Sequence, residues 1–172
     1  MSIATVQGVT VYLALRLPHH AVVNVDQLAV PRVVLDTNVC LDLFFFVDPA
    51  CAPLLAALER GEVQAVTRED CRDEWRRVLH YPQLPISAAS VPELEAAFDR
   101  LVRLVPTETG PDGASLPRCA DPDDQKFLEL ALAVGARWLL SKDKELLRLD
   151  RRVASAGQFR ILQPQDWPDG TV

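Results

Sequence analysis

The sequence predicts an α/β fold: a parallel sheet with helices on both faces. Three observations predict it. Short apolar runs recur along the chain, at 32–36, 63–67, 138–140 and 159–162, and suit strands buried on both faces. Helical stretches with one apolar face separate them, and strands alternating with helices imply a parallel sheet. The chain has 172 residues, 49% of them apolar, which is enough for one globular domain with a sizeable core.

The elements follow in order. From Thr5 to Leu17, Val9, Val11, Leu13, Leu15 and Leu17 alternate with Thr10 and Arg16 among others, a strand-like period of two ended by Pro18 and His19-His20. Residues 21–30 read as a second extended piece before Pro31. Arg32-Val33-Val34-Leu35-Asp36 is the first buried strand. Thr37-Asn38 turns the chain, and a helix runs toward Phe46. Asp48-Pro49 opens another helix, with Leu54, Leu55 and Leu58 on one face and Gly61 as its stop. Val63–Thr67 is the next strand, and Arg68–Leu79 the next helix. A helix over Val91–Leu101 starts with Ser90 as N-cap and Pro92 and Glu93 in its first turn. Arg103–Pro106 is a short strand. Residues 107–118 hold Gly110, Pro111, Gly113 and Pro117 and form a loop. A strong helix covers Asp121–Val134, ended by Gly135. Trp138–Leu140 is a strand, Asp143–Leu149 a short helix, and Phe159–Leu162 the last strand.

Composition narrows the function. The net charge is −6, from 18 Lys+Arg against 24 Asp+Glu, so the chain does not hold nucleic acid by bulk positive charge. The ordinary apolar fraction and modest charge exclude disorder as the main state. No apolar run reaches the roughly 18 residues of a membrane span, so no membrane partner is expected. Of the 18 basic residues only three are Lys and 15 are Arg, the side chain that grips phosphate through a fork. Cys40, Cys51, Cys71 and Cys119 have long, irregular gaps, which suits free thiols rather than a zinc site or disulfide framework. Cys71 falls on an apolar helical face and is expected to be buried. The first basic residue is Arg16, so no basic segment of a signal peptide opens the chain, and a reducing cytoplasm is expected.

Open parallel sheets place their chemistry at the C-terminal ends of the strands. Asp36 closes the first strand, and Asp143 follows the fourth by three residues. Glu74 lies on the helix after the second strand. At about 100° per residue, Cys71, Trp75, Val78 and Leu79 form one stripe, and Glu74 sits about 40° from Val78 at its edge. On the 121–134 helix, Asp123 and Asp124 both flank the face made by Phe127, Leu130, Ala131 and Val134, and periodicity does not choose between them. Converging carboxylates need a compensating cation. Oxygen donors suit Mg2+ or Mn2+, which can lower the pKa of a water and clamp a phosphate. The reaction implied is phosphodiester hydrolysis. Each acid also has a plain structural reading. Asp121 and Asp143 fit as N-caps, Asp36 as an Asx-turn residue, and Glu74 as a solvated helix acid.

These residues carry a family resemblance. The run Arg32–Val39, with Asp36-Thr37-Asn38 at its centre, resembles the opening of a PIN domain. Cys71–Leu79 resembles the helix carrying that family's acidic residue. Asp121-Pro122-Asp123-Asp124-Gln125-Lys126-Phe127 and Trp138-Leu139-Leu140-Ser141-Lys142-Asp143 resemble the third and fourth motifs of the PIN subfamily of toxin components. The resemblance covers about Arg32 to Trp167. It implies a three-layer α/β/α sandwich with a central parallel sheet, and a Mg2+- or Mn2+-dependent ribonuclease. It assigns the acidic quartet to Asp36, Glu74, Asp124 and Asp143, choosing Asp124 by its spacing to Ala131, with Asn38 and Ser141 as polar supports. It also implies a protein antitoxin and a homodimer as partners besides RNA. The organisation expected is an extension over 1–31, a nuclease domain over 32–167 and a tail over 168–172. For the extension an added strand, a dimer or antitoxin arm, and an upstream start codon stay open. Arg72, Arg76 and Arg118 are candidates for the substrate phosphates.

Rival readings fare less well. A phosphoacceptor receiver needs an acid pair at the first strand and a strand-ending Lys, and both are missing. A haloacid-dehalogenase site needs an acid where Asn38 stands. A PIN-like binding module without activity remains the main alternative, and the complete quartet counts against it.

Overall fold

The structure, a computed structural model, describes residues 30–106 and 115–168. The strand expected over 5–17, most of the extended piece at 21–30 and much of the 107–118 loop lie outside the described residues. The central sheet has five parallel strands: β1 (Arg32–Leu35), β2 (Gln64–Thr67), β3 (Val102–Leu104), β4 (Trp138–Leu140) and β5 (Arg160–Leu162). Their order across the sheet is β3-β2-β1-β4-β5. The chain therefore builds outward from β1 in one direction, then returns to its other side. In open parallel sheets that reversal opens a crevice at the strands' carboxyl ends.

Apolar residues fill the central strands β1, β2 and β4 where both faces are covered. Val33, Leu35, Ala65, Trp138 and Leu140 face one core with Leu54, Trp75, Leu79 and Phe98. Val34, Val66, Leu139 and Ile161, the alternate residues, face a second core with Phe127, Leu130, Ala131 and Val153. A period-two backbone thus feeds two layers of helices, which makes the three-layer sandwich.

Helix α1 (Thr37–Leu41) leaves β1 directly and widens into a π-helical turn over Asp42–Phe46. That differs from the single helix expected to Phe46. The turn closes through the Asp48 N–H donating to the Asp42 carbonyl, with Val47 in the left-handed region at φ 51°. A 3-10 turn (Pro49–Cys51), capped by the Asp48 carboxylate, leads into α2 (Ala52–Glu59). Next come α3 (Glu69–Val78) and α4 (Val91–Leu101). Ser90 does not cap α4 with its side chain. Its backbone is already helical, and its hydroxyl bonds the Ser87 hydroxyl instead. Phe98 stacks on Trp75 with ring centroids 5.3 Å apart, and Phe44 packs edge-on against both.

The helix expected over 121–134 begins as a 3-10 turn (Pro122–Asp124) and continues as α5 (Gln125–Ala133). Gly135 ends it at φ 59°, where a side chain would be strained. Helix α6 (Lys144–Leu147) is followed by a separate α7 (Asp150–Ser155), which the sequence reading did not separate out. Among the described residues, no single helix is long and apolar enough to cross a membrane.

Candidate active site

The site is built at the reversal point. Strands β1 and β4 lie side by side, and the Asp36 N–H donates to the Leu140 carbonyl at 2.9 Å. Asp36 ends one strand and Ser141 the other, so their side chains meet. The Ser141 hydroxyl, wholly buried, donates to Asp36 Oδ2 at 2.5 Å. Asn38 Nδ2 donates to the same oxygen at 2.5 Å, and Asn38 Oδ1 accepts the Lys142 N–H at 3.1 Å. The two polar supports therefore fix Asp36 from one side. Burial pushes the Asp36 carboxyl above its ordinary value, helped by the Glu74 charge and opposed by Ser141, the Thr37 N–H and Asn38.

The short loop after β4 carries Asp143. Its N–H donates to Ser141 Oγ at 2.9 Å. Its Oδ1 accepts the N–H groups of Glu145 and Leu146, so Asp143 is the N-cap of α6. The structural reading of this residue holds, yet it uses one oxygen. Among the described residues no donor reaches Oδ2.

Glu74 enters from α3. Its Oε1 accepts the Thr37 hydroxyl at 2.6 Å, and its Oε2 forms an ion pair with Lys126 of α5. Asp124, at the start of α5, is half-buried, whereas Asp123 is exposed. That separates the two acids that periodicity left level. The capping carboxylate of the 3-10 turn is Asp121, which accepts the Asp123 N–H, so Asp124 is free of that duty. Burial raises the Asp124 pKa to about 7, and the charges of Asp36, Asp121, Asp143 and Glu74 push it the same way. The four acids expected as a quartet are thus near enough to act on one another.

The arginines behave differently. Arg72 makes a two-pronged pair with Asp99, at 3.0 and 2.5 Å, and Arg76 lies 3.6 Å from Glu95. Both guanidinium groups are engaged with α4 rather than with the four acids. Arg118 is exposed, with no ion-pair partner among the described residues. The next residue, Cys119, feels the charges of Asp124 and Asp143. The four cysteines are buried and free, and burial raises the thiol pKa of each. None is a thiolate nucleophile near neutral pH.

Three side chains were not singled out from sequence. Thr37 lies in the first motif but was read only as a turn residue. Lys126 sits about 40° from Leu130 on the helical wheel, so the construction that chose Glu74 would have found it. Asp42, buried, pairs with Lys142 at 2.6 Å and ties the π turn to the loop bearing Ser141 and Asp143. Only the tertiary structure brings those two together.

The donor set fits a hard divalent cation. All the donors are carboxylate oxygens, and Asp124 feels the charges of four neighbouring acids, of which Glu74 is paired with Lys126. The arrangement is open. Among the described residues, no three such groups stand close enough to grip an ion without side-chain adjustment.

Residues 32–145, two thirds of the chain, match the PIN domain family. The chain is a PIN domain. PIN domains are a family of nucleases that generally use divalent metals. The PIN fold agrees with the sheet described above, and the matched span runs from β1 to the start of α6, enclosing all four acids. No curated protein matches the chain.

Proposed function

We propose that this PIN domain is a Mg2+- or Mn2+-dependent endoribonuclease, the toxin of a toxin–antitoxin pair. The observation that carries the nuclease reading is the raised pKa of Asp124. Burial is its first cause, and the charges of Asp36, Asp121, Asp143 and Glu74 add to it, a crowding that a divalent cation would relieve. Asp36, Asp124 and Asp143 would hold that cation, with Glu74 completing the site or orienting the attacking water. When bound, the cation would activate water and offset charge on the phosphate.

The protein's own groups prepare the site. Ser141 and Asn38 lock Asp36 in one orientation through Oδ2. The N-terminus of α6 holds Asp143 through Oδ1, and Oδ2 remains for a ligand. Thr37 holds Glu74. Arg118, exposed and without an ion-pair partner among the described residues, would take a phosphate. Arg72 and Arg76 would have to leave their carboxylate partners on α4 to do so. The toxin role, the antitoxin and the homodimer rest on the family resemblance.

Labelled single-stranded RNA incubated with Mg2+ tests the reading. Wild type should cleave it, and Asp36→Asn should lose at least a hundredfold in rate. Undiminished cleavage by that variant overturns the assignment. Failure of wild type both to cleave and to bind Mn2+ saturably supports the binding-module alternative. Expression of wild type, but not of Asp36→Asn, should arrest growth if the toxin role is correct.

A further inference from the structure

The four acids are not equally available. Both oxygens of Glu74 are engaged, Oε1 by the Thr37 hydroxyl at 2.6 Å and Oε2 by the Lys126 ammonium. The pair is largely enclosed, with the Lys126 and Glu74 side chains 18% and 20% exposed. Lys126 also lies 5.4 Å from the centroid of the Phe127 ring, on the helix that carries Asp124. By contrast, no side-chain or backbone donor holds Asp124 among the described residues, and Asp143 keeps Oδ2 clear. Asp36 takes both its side-chain donors on Oδ2.

We infer that Lys126 is a built-in counter-ion that takes Glu74 out of the metal shell, so that one divalent cation, and not two, is held by Asp36, Asp124 and Asp143. This rests on the reading above that the carboxylates hold a divalent cation. Several carboxylates in one crevice call for more positive charge than one divalent ion brings. In a two-ion site the second ion would supply it. Here an ammonium already sits on Glu74, and a second dication reaching for the same carboxylate would meet it at close range in a partly buried site, where repulsion is poorly screened. Lys126 thereby acts as a positioning residue. It holds Glu74 at the edge of the crevice with its charge matched and leaves the other three acids to the ion.

Mn2+ titration by calorimetry, with stoichiometry checked by electron paramagnetic resonance, tests this on the full chain. Wild type should bind one ion per chain. Lys126→Met removes the competing cation and should tighten binding at least tenfold. Glu74→Gln leaves Lys126 unmatched and should weaken it at least tenfold. The double variant Glu74→Gln/Lys126→Met removes a neutral pair and should bind one ion within about fivefold of wild type. Isolated buried pairs often tolerate such joint replacement, so the double variant keeps the test alive where a single variant misfolds. If Glu74 is a direct ligand, the double variant will bind as weakly as Glu74→Gln, and the inference falls. Two ions in wild type also overturn it, while the nuclease reading stands. No saturable binding in wild type sinks the metal-site reading itself, and the inference with it.

Discussion

Asp124→Asn should stabilise the metal-free protein, and more so at high pH. The Asp124 pKa rises from 3.8 to about 7 on folding. The folded state therefore favours the protonated acid, and the sign follows. Well below pH 4 the carboxyl is protonated in both states and contributes nothing against folding. Between about pH 4 and 7 the unfolded chain ionises it first, so folding costs more as pH rises. Above 7 the cost levels off, at about 4 kcal/mol for a shift of roughly three units. The group is only half-buried, and screening by water reduces this to about 2 kcal/mol. Asn is nearly isosteric and removes the charge. No cap is lost, because Asp124 makes no side-chain cap to α5. Urea unfolding in EDTA should therefore show a gain of about 2 kcal/mol at pH 8, shrinking to about 0.5 kcal/mol at pH 4.5. A gain equal at both pH values, or a loss at pH 8, refutes the crowding of charge at this site.

Three other outcomes are expected. Ser141→Ala removes a buried donor to the Asp36 carboxylate and an acceptor for the Asp143 N–H. It should lower stability by about 2–3 kcal/mol in urea melts at pH 7. Phe98→Ala empties the space beside Trp75 and Phe44. Calorimetric unfolding should show a loss of about 3–5 kcal/mol. Val47→Gly relieves a β-branched residue at φ 51°, where it is also largely exposed. The relief outweighs the added freedom of the unfolded chain, so thermal melts should show a gain of about 0.5–1 kcal/mol.

The strands were legible because a strand buried on both faces leaves a run of apolar residues that needs no partner to be recognised. Val33-Val34-Leu35 and Trp138-Leu139-Leu140 are such runs, each feeding two cores. Asp36 and Asp143 were legible for a related reason, since a strand's end marks where its next polar residue emerges. The π turn was not legible. Its first residue, Asp42, pairs with Lys142 across the fold, and no local pattern encodes that meeting. Helix α7 was hidden because its buried stripe reduces to Leu149 and Val153, with Arg151, Arg152 and Ser155 around them. The placement of Arg72 and Arg76 depended on where α4 docks. Its Asp99 and Glu95 meet α3 only in three dimensions. Pairing of Glu74 with Lys126 likewise needed the distance between α3 and α5.

The place of β1 between β2 and β4 also sets an order of events during folding. Strand β2 can pair with β1 early, about 30 residues on. Ser141, which steadies Asp36, lies 105 residues beyond it in the chain. Closing so long a loop is entropically slow, and the reward comes only when β4 docks. Until then Asp36 has no Ser141 hydroxyl, and the crevice beside β4 does not exist. A nascent chain that has threaded out only through β3 therefore carries two of the four acids and no site. Whatever the crevice does, it needs Asp124 and Asp143, which the chain supplies only after β3.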